Sequence, residues 1–160
     1  KYGSFLAFGA ILTNAKLSES YPYYGNFCKS CTRCGEACPT GALGKPYDLN
    51  RSFCLSNLLE SDTPEDETLL RRFEDADLNG YFFECDICQN VCPHNQRHLT
   101  QPLDTPFGRT FSQKERLEKI LSVASLKSMD EAEYERTIAP IIVGFHLPYA
   151  LFTRNVRFLD

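Results

Sequence analysis

After Cys92 the chain has no cysteine at all, and all eight of its cysteines fall between Cys28 and Cys92. It has no signal-peptide pattern, so a secreted disulfide framework lacks its leader and a cytoplasmic location is expected. No apolar run is long enough to span a membrane. No excess of basic charge is present either: 17 Lys and Arg stand against 21 Asp and Glu, a formal charge of −4. That balance carries no bulk signature of polyanion binding. With 160 residues the chain has room for one domain with a modest core or for two small lobes. It begins at Lys1 rather than at methionine, and is expected to be part of something longer.

What is there is concentrated. Ten of the acids lie between Glu60 and Asp86, on the cysteine side of the chain, whereas residues 97–160 are nearly neutral. Residues 28–43 read CKSCTRCGEACPTGAL, a C-x2-C-x2-C-x3-C-P pattern. Three thiolates two residues apart can wrap a loop around three corners of a cubane cluster, with backbone N–H groups pointing at sulfur. The fourth cysteine, one short helical turn later, faces away; in bacterial two-cluster proteins it ligates the other cluster. Proline then ends the turn.

A second, incomplete copy, CDICQNVCP, occupies residues 85–93. Laid on the first, Cys85, Cys88 and Cys92 take the second, third and fourth places, and the first place falls on Phe82. One ligand is missing from this copy, and one cysteine, Cys54, belongs to neither. If Cys54 fills the gap, every cysteine is used once. Cluster one is then Cys28, Cys31, Cys34 and Cys92; cluster two is Cys38, Cys54, Cys85 and Cys88. Zinc is the first alternative, since Cys28/Cys31 with Cys85/Cys88 supply two C-x2-C pairs, but it leaves the C-x3-C-P elements without a purpose. Disulfides are the second, although cysteines three and six residues apart do not easily pair with one another. Two [4Fe–4S] clusters are therefore expected, and a lobe this rich in loops is expected to need them to fold.

The remaining elements read as follows. Residues 3–17 are apolar with two glycines and suggest a strand or extended segment. TGAL and YDLN suggest a short hairpin around Gly44-Lys45-Pro46. Thr63-Pro64-Glu65 is a helix start, for a helix reaching about Ala76. Ser112 with Glu115 forms a capping box for a helix whose Leu117, Ile120, Leu121 and Ala124 share a core-facing side. Ser128 with Glu131 forms another. Pro148 opens a last helix, with Phe152, Val156 and Leu159 on its buried side.

A plain two-cluster electron carrier would be finished by about residue 95, and this chain continues for more than 60 residues. Here the sequence resembles epoxyqueuosine reductase, a cobalamin- and iron–sulfur-dependent family of tRNA queuosine maturation. GSFLAFGAILT is similar to the segment ahead of the family's first cluster motif. CKSCTRCGEACPTGAL, DLNRSFCLSNLLE and CDICQNVCPHN resemble its cluster elements in order, and RNVRFL resembles its last helix. The resemblance implies an α+β fold, mostly helical with little strand: a two-[4Fe–4S] bacterial ferredoxin-like lobe followed by a small helical lobe. It implies residues 1–20 as the end of an upstream corrinoid-binding domain, 21–100 as the two-cluster domain and 101–160 as the helical C-terminal region. By the same resemblance, electrons from an external donor pass through the clusters to cobalamin, bound mainly by the upstream domain. The epoxide of epoxyqueuosine in a tRNA anticodon loop is then reduced to queuosine. The chain alone is expected to hold clusters without turning over, away from any membrane. Two rival readings are a fragment of a cobalamin-dependent reductive dehalogenase and a stand-alone ferredoxin-type carrier.

Two features depart from the family pattern. Glu84 stands where glycine often precedes the second motif, and the apolar stretch IAPIIVGFHLPY replaces one that is often basic. Ser4 and Phe5 are candidates to line the corrinoid, against an ordinary buried strand. Asp86 and Gln89 are candidates to hydrogen-bond cluster thiolates or the cobalamin side, against plain solvent exposure. His94 is expected to pack or cap, since eight cysteines already close two sites, and His98 and His146 show no metal spacing. Arg154 and Arg157 are expected on a solvated helix face, against a reach to phosphate, and Tyr21, Tyr23 and Tyr24 as a cover over the first cluster, against stacking on a base or a corrin ring.

Overall fold

The computed structural model of the chain describes residues 3–6, 9–18, 25, 27–61, 71, 80–100, 114–142 and 147–159. The helix expected at 63–76, Tyr21, Tyr23, Tyr24, Ser112 and His146 lie outside them. The described elements are short helices: α1 (Arg33–Glu36), α2 (Leu55–Glu60), α3 (Ile87–Asn90), α4 (Gln96–Thr100), α5 (Lys114–Ile120), α6 (Val123–Ser128), α7 (Glu131–Thr137) and α8 (Tyr149–Val156). A single 3-10 turn, Arg51–Phe53, leads into α2.

The expected strand content is not found among the described residues. The hairpin at Gly44 is reduced to one isolated antiparallel bridge between Lys45 and Asp48. Pro46 sits between the bridged residues and has no N–H to extend a ladder. The described part of segment 3–17 forms no strand, and Ile11 and Leu12 are 91% and 100% exposed. A strand needs a neighbouring edge to satisfy its backbone, and no described residue supplies one. Among the described residues the architecture is therefore mostly helical without sheet.

Among the described residues an apolar core joins α2 and residues 81–85 to the C-terminal helices. Leu55, Leu58 and Leu59 of α2 are buried with Leu126, Tyr134, Ile138, Leu151, Phe152, Val156 and Leu159. Tyr81, Phe82, Phe83 and Cys85 pack against this cluster. Phe152 is fully buried at its centre, 4.7 Å from the Tyr134 ring and 5.7 Å from Phe82, edge-on to the latter. The Tyr134 hydroxyl donates to the Leu147 carbonyl, and the Tyr149 hydroxyl donates to the Met129 carbonyl at 2.8 Å, so both buried phenols keep a partner.

The helix ends show where local chemistry overrode periodicity. The expected face 117–124 is broken: α5 stops at Ile120, and Ser122 restarts the chain as the N-cap of α6, accepting from the Ser125 N–H. Leu121 and Ala124 are consequently exposed. Ser128 closes α6 and bonds back to the Ser125 carbonyl; the N-cap of α7 is Asp130, which accepts from the Glu133 N–H at 2.8 Å. A carboxylate is as good a cap as serine and is additionally favoured by the helix dipole. Pro148 does open α8, with its carbonyl accepting from Leu151 and Phe152.

Candidate metal centre

The two cysteine motifs fold as copies. In the first, the N–H groups of Gly35 and Glu36 bond to the Thr32 carbonyl, Ala37 to Arg33, Cys38 to Gly35, and Gly41 to Cys38. In the second, Gln89 and Asn90 bond to the Asp86 carbonyl, Val91 to Ile87, Cys92 to Gln89, and Asn95 to Cys92. Every bond recurs with the same spacing, and Cys31, Cys34 and Cys38 correspond to Cys85, Cys88 and Cys92. The two helical turns, α1 and α3, pack on each other. Gly35 makes room within the first copy, since a Cβ there would lie 2.8 Å from the Leu43 carbonyl oxygen.

In this register Phe82 stands where the first copy has Cys28. Its ring is committed to the core against Phe152. Cys54 reaches the region as the N-cap of α2, with its carbonyl accepting from the Leu58 N–H.

None of the eight cysteines is in a disulfide. Cys28, Cys31 and Cys34 are exposed, whereas Cys38, Cys54, Cys85, Cys88 and Cys92 are half-buried. The thiol of Cys88 is pushed up to about 11, by burial first and then by the neighbouring Cys85, Cys54, Cys38 and Cys34. Burial also raises Cys85, partly offset by the Ile87 N–H, with Cys54 and Cys38 again adding to the rise. At Cys38 burial works against the thiolate, but the Thr40 hydroxyl, 3.6 Å away, and backbone bonds at Leu43, Thr40 and Ala42 outweigh it, so the pKa falls below the usual thiol range. Cys38 and Cys54 thus both raise Cys85 and Cys88, and Cys34 adds to the rise at Cys88. Mutual repulsion of this kind is relieved when a metal replaces the protons, because a coordinating thiol is deprotonated outright. Backbone N–H groups around a cysteine sulfur are likewise suited to an anionic thiolate. This donor set fits a thiolate-bound cluster. Among the described residues, no three His, Cys, Asp or Glu approach closely enough to hold a single metal ion.

The other expected residues are placed as follows. The His94 Nε2 lies 3.3 Å from the Phe27 carbonyl oxygen and its ring meets Phe27 edge-on, a packing role as expected. Asp86 and Gln89 bond to each other through their side chains across the first turn of α3. Glu84 has φ of +48°, in the left-handed region that favours glycine, and burial, then Asp86 and Glu60, push its carboxyl above the usual range. Phe5 is 37% exposed, and Ser4 is exposed rather than buried in a strand.

Two asparagines were not singled out by sequence, and both are fully buried. Asn95 accepts from the Ser4 N–H at 2.8 Å and donates to the Ser4 hydroxyl at 2.7 Å and to the Gln89 carbonyl at 2.8 Å. It ties the N-terminal segment to α3. Gly3, with φ of +75°, permits this contact, since a Cβ there would lie 1.9 Å from the Asn95 Oδ1. Asn155, with its neighbour Arg154, holds the end of α2. Arg154 thereby corrects the expectation of a solvated face: its guanidinium donates to the carbonyls of Ser61, Leu58 and Leu59 at 2.8, 3.0 and 3.0 Å. The last carbonyls of a helix have no intrahelical donor, and a planar fork can serve several at once. Arg157 is exposed, as expected.

Comparison with known proteins agrees with this geometry. Residues 27–95 match the family described as a 4Fe-4S double cluster binding domain. An epoxyqueuosine reductase of Synechocystis sp. is 41% identical over 104 residues, covering 64% of this chain and 34% of the relative. One from Cellulophaga algicola is 30% identical over 165 residues, covering 99% of this chain and 48% of the relative. A crystal structure of epoxyqueuosine reductase with an epoxyqueuosine-modified tRNA-Tyr stem loop matches 88% of this chain and 34% of that chain, with a TM-score of 0.60 and 25% identity. A selenomethionine-labelled epoxyqueuosine reductase matches the same shares, with a TM-score of 0.60 and 26% identity. The chain thus spans about a quarter to a half of the length of the curated relatives it matches.

Proposed function

We propose that this chain, which is similar to a C-terminal portion of epoxyqueuosine reductases, belongs to that family and is the electron-transfer part of such an enzyme. Cys28, Cys31, Cys34 and Cys92 would hold one [4Fe–4S] cluster, and Cys38, Cys54, Cys85 and Cys88 the other. The observation that carries this reading is that the two cysteine motifs fold as the same hydrogen-bonded turn and pack on each other. When bound, such clusters supply one-electron steps at potentials set by charge, hydrogen bonds to sulfur and exposure.

The chain's own residues set those conditions. The Thr40 hydroxyl and the backbone of Thr40, Ala42 and Leu43 favour the thiolate at Cys38. The core residues Phe82, Phe83 and Leu55 limit water on the Cys54–Cys85 side. Asn95 fixes Ser4, so the segment leading to an upstream domain leaves from beside the second motif. Cobalamin would be bound mainly by that upstream domain, with Ser4, Phe5, Asp86 and Gln89 nearest to it from this chain. Residues 1–20 are then the end of the corrinoid domain, 21–100 the cluster region and 101–160 its helical support. The substrate would be epoxyqueuosine in a tRNA anticodon loop, the product queuosine, and the location the cytoplasm. No helix among the described residues is long and apolar enough to cross a membrane.

The test is turnover by the full-length protein, reconstituted anaerobically with iron, sulfide and cobalamin and given a low-potential reductant and an epoxyqueuosine-containing stem loop. Queuosine is expected from the wild type, with loss of at least a hundredfold in rate for Cys54→Ser, on the order of removing an essential redox ligand. Undiminished turnover in Cys54→Ser would remove Cys54 from the electron path.

A further inference from the structure

The last helix has no cysteine, yet its Arg154 and Asn155 side chains both bond to the segments that carry the split half of the cysteine set. Asn155, fully buried, donates from Nδ2 to the Leu59 carbonyl at 2.9 Å and to the Phe82 carbonyl at 2.8 Å. Arg154 caps the same helix end through Leu58, Leu59 and Ser61, and its Nε donates to the Asn155 Oδ1 at 3.0 Å. The side chain of Asn155 is thereby oriented with its amide toward the two carbonyls.

These two carbonyls belong to the two segments that must meet for cluster two. Leu59 is on α2, whose N-cap is Cys54, and one and a half turns of helix make a rigid spacer between clamp and thiol. Phe82 lies three residues before Cys85, in the place where the first motif has its own first cysteine. In the first motif Cys28 is joined to Cys31 by the short loop itself, and the Cys31 N–H bonds to the Cys28 carbonyl at 2.8 Å. The second motif has lost that local link. Its missing cysteine comes from a distant segment, and Asn155 bonds the two segments together instead.

We infer that Arg154 and Asn155 are the positioning residues that hold Cys54 in register with Cys85 and Cys88, so that the C-terminal helix replaces the loop continuity which the first motif supplies by sequence. The inference rests on the reading that Cys54 completes the second cluster. It gives the helical C-terminal region a defined part in cluster assembly: Phe82 has exchanged a ligand for a ring that packs on Phe152 and a carbonyl that Asn155 holds.

The experiment uses the full-length protein, reconstituted anaerobically, with iron, labile sulfide and EPR of the reduced state as readouts. Asn155→Asp keeps the size but has no amide to donate. It is expected to drop from about eight irons per chain to about four, and the coupled spectrum of two clusters should give way to that of one isolated cluster. Arg154→Met should lose cluster two to a chelator faster than wild type, and Arg154→Lys should recover part of that loss. Leu126→Ala, a core variant in α6, is the control for general destabilisation. Two results would overturn the inference: Asn155→Asp retaining both clusters with an unchanged spectrum, or losing both clusters in step with Leu126→Ala. If wild type itself never reaches about eight irons, the two-cluster reading fails first and takes this inference with it.

Discussion

At Glu84 the backbone adopts φ of +48°, a conformation that costs a residue with a Cβ about 1 kcal/mol and glycine little. The carboxyl is also crowded by Asp86 and Glu60. Glu84→Gly is therefore expected to stabilise the fold by about 1 kcal/mol, read as a higher denaturant midpoint at unchanged slope. An unchanged or lower midpoint would mean that the left-handed turn is not the source of strain. The sequence exposed this site only as a departure from a family pattern; the φ angle supplies the physical reason for glycine there. Cysteines were legible one by one, because thiol chemistry is specific and the spacing of a cluster loop is short. Asn95, Asn155 and Arg154 were not, because their hydrogen bonds span 91 to 96 residues with Ser4, Leu58, Leu59 and Ser61. A polar side chain capable of many bonds carries no sequence sign of which carbonyl it will meet.

Among the elements, helix existence was easier to read than helix ends. Pro148 and the apolar spacing of Phe152, Val156 and Leu159 located α8, and all three side chains are buried. Ser128 was expected to cap α7, and α6 was not separated from the helix ahead of it; Ser122, Ser128 and Asp130 are all competent caps, and Ser122 and Asp130 are the two that accept the N-terminal bonds. The consequence is measurable. Asp130→Ala should cost about 1 kcal/mol through loss of the bond to the Glu133 N–H, while Ser128→Ala should change stability by less than about 0.5 kcal/mol. Thermal unfolding of the two variants decides it, and a larger effect at Ser128 would restore the earlier helix start. A strand or extended segment was expected for residues 3–17 from their apolar character; the described part forms no strand, since an apolar segment becomes one only beside an edge that bonds to it. Ile11, Leu12 and Leu17 are instead exposed at 76% or more.

For the whole molecule, the cysteine side and the helical side are joined by one core, in which α2 and residues 81–85 pack with the C-terminal helices. The same joining is made in hydrogen bonds by Asn155. Sequence gave both parts separately, since motif spacing and amphipathic periodicity are local signals; their common core depends on contacts far apart in the chain. In the proposed assembly, eight cysteines form two four-thiolate sites of mixed origin. Iron and acid-labile sulfide per chain, measured after anaerobic reconstitution together with EPR of the dithionite-reduced protein, test it most directly. About eight of each and a spectrum of two interacting spins are expected. Bound zinc with no labile sulfide would contradict it.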